Sequence, residues 1–411
     1  MVFLLRGNKS ATQESCKDMN VAAIEAEVEY YVHRSPFLMA SEETAQHVGV
    51  SAGGSLAPAT FDLPEIQIGK LLGEGGFSKV LEINGFELQK ATTTTNSSSK
   101  WTGNNNSADA WDMSAWDMSA LPMAVTTQDQ AEKSRTKLSE SARDSRGNSR
   151  YAIKFVKDEL AKKSSHEYRT ACCDIVVESK YLRALDHPNI LKLRGLSKAS
   201  CAGFANGPEG FFVIVDRLQE TMLDRINRWK EGEVADDVLI LKADYALQVA
   251  DALAYLHDRR ILFRDLKPGN CGFHTNDVHT VQLFDFGLCR ELPESATEYE
   301  DDESAFQMSG AGTFAYMAPE IVNKRGYNLK ADVYSWAFLF YEMISLQQPF
   351  EEYSIEEHRE FVCQIGQRPN LTKCDIPKAL QSLLRKAWEH DPSLRLSMRQ
   401  AWQQLQRIAG T

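Results

Sequence analysis

No apolar run in this 411-residue chain is long enough to cross a bilayer. The longest, Val333 to Ile344, is broken by Ser335 and Glu342 and falls well short of the ~20 residues a membrane helix needs, so it reads as a buried helix. A secretory leader is not expected either, because Met1 is followed only by Val2-Phe3-Leu4-Leu5, below the roughly 7 to 15 apolar residues of a leader's core. Positive charge is in deficit, with 46 Lys and Arg against 57 Asp and Glu and a formal net charge of −11. General binding of nucleic acid or of an anionic membrane is therefore not expected, since both need a positive surface. Cysteine is sparse: eight residues are scattered, and the adjacent pair Cys172-Cys173 lacks zinc-ligand spacing. Reduced thiols follow, and with them a cytoplasmic location, the nucleus being the alternative. Histidines 187, 257 and 274 show neither ligand nor triad spacing and read as structural.

What is present is a chain 43% hydrophobic and 25% charged, long enough to bury a large core. Residues 1–60 read as a flexible N-terminal extension with one helix, Val21 to Val32, and a Gly/Ser/Ala/Pro stretch from Val50 to Thr60. From Ile66 branched residues alternate, through Ile68 and then Val80, Leu81 and Ile83, as paired strands about a glycine turn would require. Residues 84–149 follow, a polar low-complexity stretch expected to be disordered. Inside it Trp111-Asp112-Met113-Ser114-Ala115 repeats at once as Trp116-Asp117-Met118-Ser119-Ala120. The tryptophans offer a docking motif for a partner protein; a bare tandem duplication is the alternative. Strand character resumes at Tyr151 to Val156, and Ile175, Glu178, Leu182 and Leu185 then share one helical face. Phe211 to Val215 is a buried-type strand, and Val333 to Met343, Lys378 to Trp388 and Met398 to Ile408 are helix candidates.

Four separated motifs carry chemistry. Gly73-Glu74-Gly75-Gly76-Phe77-Ser78-Lys79-Val80 has glycines that let backbone N–H groups approach phosphates without a Cβ in the way. Ala152-Ile153-Lys154 ends in a cation, Arg264-Asp265-Leu266-Lys267-Pro268-Gly269-Asn270 supplies a base beside a metal ligand, and Asp285-Phe286-Gly287 supplies a second metal ligand. In this order they form the kit for moving a phosphoryl group from ATP. The set resembles the eukaryotic protein kinases over roughly residues 66 to 408, with a break near 84–149. Lys267 and Gly312-Thr313-Phe314-Ala315-Tyr316-Met317-Ala318-Pro319-Glu320 resemble the serine/threonine type.

The resemblance implies an α+β fold of two lobes, a small β-rich lobe and a larger helical one, within a kinase domain spanning 61–408 with a hinge near 216–218. It implies ATP and Mg2+ as cofactors, Mn2+ serving in its place, and protein serine or threonine hydroxyls as substrate. The implied nucleotide site comprises Leu72, Gly73, Glu74, Gly75, Gly76, Phe77 and Val80, then Ala152 and Lys154, then Val215, Asp216 and Leu218 at the hinge. Lys154 would hold the α and β phosphates and Glu178 would orient it, with Glu167 the competing acid. Asp265 would be the base, Lys267 would neutralise charge on the transferring group, and Asn270 and Asp285 would hold the metal. Phe263 replaces the family's usual histidine, keeping an apolar contact while losing a hydrogen bond. Asp332 matches the acid that anchors the catalytic loop, and Arg395 the partner of Glu320.

Arg264, Ser309 and Thr313 are the regulatory candidates, with Arg264 receiving a phosphate on Ser309. The acidic run Glu298, Glu300, Asp301, Asp302 and Glu303 is the rival anion. Two other readings compete with an active protein kinase: an inactive kinase-fold scaffold, which predicts a lost lysine, base or metal ligand, and a small-molecule kinase, which should lack the Thr313 to Glu320 string.

Overall fold

The structure is a computed structural model describing residues 21–48, 58–88, 127–232, 239–274, 277–293, 306, 308 and 310–410. The small lobe is organised by one six-stranded sheet. Its strands are β1 (Ala59–Phe61), β2 (Ile66–Glu74), β3 (Ser78–Phe86), β4 (Tyr151–Val156), β5 (Leu193–Ser197) and β6 (Val213–Asp216), in the spatial order β1-β5-β6-β4-β3-β2. Only the β1–β5 contact is parallel. The two-residue period of β4 sends Tyr151, Ile153 and Phe155 into a core with Phe61, Phe212 and Ile214, while Ala152 and Val156 join the main core on the other face. That period places Lys154 on the main-core side.

The helices of this lobe are α1 (Val21–Val32), α2 (Pro36–Val48), α3 (Thr127–Glu140), α4 (Asp158–Lys163) and α5 (Ser165–Ala184). Ser164 starts α5 by accepting a hydrogen bond from the Glu167 N–H at 3.3 Å, and Glu167 and Arg183 stand at the ends where their charges favour the helix dipole. The helix at Val21–Val32 forms where the sequence places it, but the extension is more structured than its composition implies. A second helix, α2, follows, and Ile24, Val28, Val32 and Leu38 are buried in the main core.

The reading of 84–149 as one disordered insertion also needs correction. Its last part is α3, whose Arg135 guanidinium pairs with buried Glu65 at 2.5 Å, donates to the Thr60 carbonyl at 3.0 Å and lies 5.3 Å over the Phe61 ring. One long cation and Leu138, packed on the outer-face core, hold this helix in place. An average over the whole segment hides both. The tandem repeat lies outside the described residues.

The large lobe contains β7 (Leu218–Thr221), α6 (Met222–Lys230), α7 (Leu239–His257), β8 (Ile261–Leu262), β9 (Cys271–His274), β10 (Asp277–Leu283), β11 (Arg290–Glu291), α8 (Pro319–Val322), α9 (Lys330–Ser345), α10 (Ile355–Glu357), α11 (Lys378–Ala387) and α12 (Met398–Ala409). The apolar run at Val333 to Ile344 forms most of α9, buried from Ala331 through Met343 and tied to α7 by the Trp336 indole N–H donating to the Ala246 carbonyl at 2.9 Å. Among the described residues no helix is long and apolar enough to cross a membrane. Small sheets β10-β9-β7 and β11-β8 present the loops that follow β8 and β10 to the cleft.

Candidate active site

Strand register brings the first pieces together. Gly75 N–H donates to the Ser78 carbonyl at 2.8 Å and closes the turn between β2 and β3, and Val80 then stands opposite Lys154. Lys154 Nζ reaches Glu178 on α5 at 2.6 Å and Asp285 at 2.8 Å. Glu167, the rival acid, is exposed in the first turn of α5 and is not the Lys154 partner. Burial works against the Lys154 charge, yet the two carboxylates raise its pKa above the lysine norm, so it stays an ammonium. Burial raises Glu178 against the pull of Lys154. At Asp285 burial also pushes upward, but Lys154 prevails and holds the carboxyl below its ordinary range.

The second group forms around Asp265. Lys267 Nζ donates to Asp265 Oδ2 at 2.7 Å and to Thr313 Oγ1 at 2.8 Å, and the Thr313 hydroxyl donates to Asp265 Oδ1 at 2.7 Å. Thr313, expected among the regulatory residues, thus sits against the candidate base. Asn270 Nδ2 donates to the Asp265 carbonyl at 2.8 Å and to Oδ2 at 3.0 Å, leaving its amide oxygen as an acceptor. Burial raises the Asp265 pKa, against the opposing effects of Lys267 and Thr313.

The loop holding Asp265 is built on Asp332 at the start of α9. Asp332 accepts from the backbone N–H groups of Phe263 at 2.8 Å and Arg264 at 2.9 Å, with His257 Nε2 at 3.0 Å. Arg264 has φ +75°, and these bonds offset that conformation. Gly312, with φ +124°, passes so close to this loop that a Cβ there would lie 2.5 Å from the Arg264 carbonyl oxygen. Phe263 is fully buried edge-on to Phe286, ring centroids 5.2 Å apart, so the aromatic replacement keeps its apolar contact. The Arg264 guanidinium donates to the Leu288 carbonyl at 3.3 Å and bonds the Tyr327 hydroxyl. Ser309 and the acidic run from Glu298 to Glu303 lie outside the described residues.

Both groups open on one cavity of about 260 Å³, whose lining includes Glu74, Gly75, Gly76, Phe77, Lys154, Glu178, Asp265, Lys267, Asn270 and Asp285. Ala171, Asp174, Ile175 and Leu288 also line it, and the motif reading missed them because they lie outside the four motifs. Leu72, Gly73, Val80, Ala152, Val215, Asp216 and Leu218 lie outside this lining. Ala152 pairs with Val215, next to Asp216, whose carboxylate accepts from Arg194 at 2.8 and 2.7 Å. Leu72, Val80 and Leu218 are half-buried against the main core.

The donor set fits a hard divalent cation. Asp285 presents carboxylate oxygen to the cavity, Asn270 amide oxygen, and no described group of three or more His, Cys, Asp and Glu could enclose a metal unaided. Magnesium takes few protein oxygens and completes its shell with phosphate and water. Glu320 and Arg395 form a buried bidentate pair at 2.8 and 3.2 Å.

Comparison with known proteins identifies the family. The family model of the protein kinase domain matches residues 139–405. The dual specificity protein kinase shkE of Dictyostelium discoideum is 31% identical over 233 residues, 56% of this chain and 30% of its own length. The mitogen-activated protein kinase kinase kinase 7 of Drosophila melanogaster is 30% identical over 55% of this chain and 30% of its own length, and the serine/threonine-protein kinase VIK of Arabidopsis thaliana is 30% identical over 57% and 50%. The chain thus spans half or less of the length of these relatives. The family match begins beyond the glycine turn, yet β4 pairs with β3 and completes the lobe.

Proposed function

This chain belongs to the protein kinase family, and from that premise we propose that it transfers the γ-phosphoryl group of ATP to serine and threonine hydroxyls of proteins. The observation that carries this reading is the Asp265–Lys267–Thr313 cluster, whose Asp265 and Lys267 line the same cavity as the Lys154–Glu178 pair. Asp265 accepts the proton of the attacking hydroxyl. Lys267, 2.7 Å away, bears positive charge against the phosphoryl oxygens as they leave ATP. Lys154, fixed by Glu178, binds the α and β phosphates under the glycine turn that the Gly75–Ser78 hydrogen bond closes. Leu72, Val80, Ala152, Val215 and Leu218 enclose the nucleotide base, with hinge backbone beside Asp216 supplying its hydrogen bonds. Asp285 and Asn270 would hold Mg2+, or Mn2+, which when bound neutralises charge on the phosphates.

The seven described cysteines are free, which supports a reducing compartment, the cytoplasm or nucleus. One relative carries dual specificity in its name, so tyrosine is the second acceptor worth testing. Purified protein assayed on arrays of serine, threonine and tyrosine peptides, beside Asp265→Asn, tests the reading. Phosphorylation of serine or threonine peptides, lost in the variant, is expected. Equal activity in the variant, or transfer only to small molecules, overturns it.

A further inference from the structure

We propose that α1 and α2 act as a built-in brace, holding α5 where Glu178 meets Lys154 and tying it to the segment that begins at Asp285. The proposal rests on the phosphotransfer reading above for its consequence, though not for its geometry. A helix packed on a sheet by one face leaves its other side to water. Instead α5 is buried without a break from Thr170 to Cys173 and again from Ile175 to Ser179. Glu178 serves the inner side. On the outer side Cys173 Sγ lies 3.9 Å from the Ile24 carbonyl, the Tyr181 hydroxyl bonds Ser35, and Ile24, Val28, Val32 and Leu38 share its core.

The same two helices reach the segment that follows Asp285. The Arg290 guanidinium lies 3.9 Å over the Tyr31 ring while donating to the carbonyls of Gly287 at 3.1 Å and Cys289 at 2.6 Å. Next to it, Glu291 accepts from the Ser35 hydroxyl and from the Phe37 N–H at 3.0 Å, placing a carboxylate at the positive end of α2. Gly287 in turn packs on α5 so closely that a Cβ would stand 3.0 Å from both Cβ and the carbonyl oxygen of Asp174. Brace, α5 and the Asp285–Glu291 segment therefore lock one another.

Each contact has a distinct part. The ion pairs Arg169–Glu27 at 3.5 Å and Lys180–Glu42 at 2.5 Å are partly exposed and add little. Burial of the apolar stripe supplies the attachment, and Tyr31–Arg290 with Glu291 at the start of α2 supplies the register. Movement of α5 by about 1 Å is enough to break the 2.6 Å Lys154–Glu178 contact and misplace the phosphate-binding cation. A passive cover over an apolar patch would affect melting alone, whereas a brace also sets kcat.

The test uses the full chain carrying Ile24→Asp, and separately Tyr31→Ala with Glu291→Ala, followed by hydrogen exchange and steady-state kinetics on a serine/threonine peptide. In Ile24→Asp, amide exchange across 21–42 and 170–184 should rise at least tenfold with α9 unchanged, and kcat should fall about tenfold while KM for ATP moves less than threefold. The double variant should lower kcat about threefold, and Tyr31→Phe with Glu291→Gln, which keep the ring and the acceptor, should restore it. Released helices with unchanged kcat overturn the proposal. Should Ile24→Asp fail to fold, the double variant and its conservative counterpart decide alone. If the unmodified chain phosphorylates nothing, the phosphotransfer reading fails, and exchange still judges the brace: α5 protection that survives release of 21–42 overturns it.

Discussion

The Thr313 hydroxyl donates to Asp265 Oδ1 at 2.7 Å and accepts from Lys267 Nζ at 2.8 Å, so one side chain of the segment before Pro319 completes the surroundings of the candidate base. Replacing it with valine removes a hydrogen bond to a charged group, worth roughly 1.5–3 kcal/mol. Thr313→Val should therefore lower kcat by about 10- to 100-fold with KM for ATP nearly unchanged. Thr313→Ser should retain most activity, and Asp265→Ala should lose about 10²- to 10⁴-fold. Steady-state rates on one peptide check all three. A valine variant with full activity would remove Thr313 from the site.

Removing Lys154 should have a pH-dependent effect on stability. Glu178 is already raised above the usual carboxyl range by burial, and loss of its cation raises it further. A carboxyl whose folded pKa lies above its unfolded value stabilises the fold at low pH and loses that contribution as pH rises through the folded value. Lys154→Met should therefore cost little stability near pH 5 and about 3–5 kcal/mol near pH 8, where an unpaired carboxylate stays buried. Urea unfolding at the two pH values checks this, and a cost that shrinks with rising pH would contradict it. Phosphotransfer should be lost at both.

Most of the candidate site's geometry was legible from short strings because the chemistry expected of its residues needs fixed types. Asp265, Lys267 and Asn270 lie within one turn and loop, and Glu320 with Arg395 shows that a distant pair is readable when both partners sit in recognisable strings. Thr313 was visible as a regulatory candidate, and only the fold brings it to Asp265. The brace and α3 were hidden for another reason. Cys173, Val176, Val177 and Tyr181 form apolar surface beyond the Ile175–Leu182–Leu185 face, a sign that a second body covers α5, but nothing local says that Ile24 and Val28 supply it.

Breaking the Glu320–Arg395 pair should unfold the large lobe more readily without touching the cavity. Arg395 has no exposed side-chain surface and also donates to the carbonyls of Lys330 at 2.9 Å and Glu389 at 3.0 Å. Arg395→Ala leaves Glu320 buried and uncompensated, for a cost of about 3–5 kcal/mol. Glu320→Gln should cost less, because an amide still accepts hydrogen bonds from the guanidinium. Denaturant midpoints rank the two, and equal effects would show that packing of the arginine stem outweighs the charge pair.

His358 introduces an acid-side weakness. It is buried between the rings of Phe314 and Phe350, with Cys363 Sγ at 3.6 Å and the Arg368 cation nearby, and burial followed by Arg368 pushes its pKa down to about 4. A histidine depressed in the folded state protonates first in the unfolded chain, so stability is complete above about pH 6.5 and falls as pH drops toward 4. The loss should reach roughly 2 kcal/mol by pH 5. His358→Phe should flatten that part of the stability profile, and an unchanged slope between pH 7 and 5 would assign the acid sensitivity elsewhere.

The boundary within 84–149 predicts opposite outcomes for two deletions. Residues from Thr127 include α3, where Arg135 compensates Glu65, a carboxylate whose side chain is 5% exposed, and Leu138 covers the outer core. Residues 91–125 are polar and low in complexity by sequence, so their removal should leave the unfolding free energy within about 1 kcal/mol of the full chain. Extending the deletion through residue 148 strips α3 from β1 and leaves Glu65 without its cation. Arg135→Ala isolates that electrostatic part and should cost about 3 kcal/mol, more than Arg135→Lys, which keeps the charge but not the guanidinium's reach to both Glu65 and the Thr60 carbonyl. Urea unfolding of the two deletions and the two point variants tests the boundary. A stable 91–148 deletion, or a neutral Arg135→Ala, would return the whole segment to the role of a dispensable insertion.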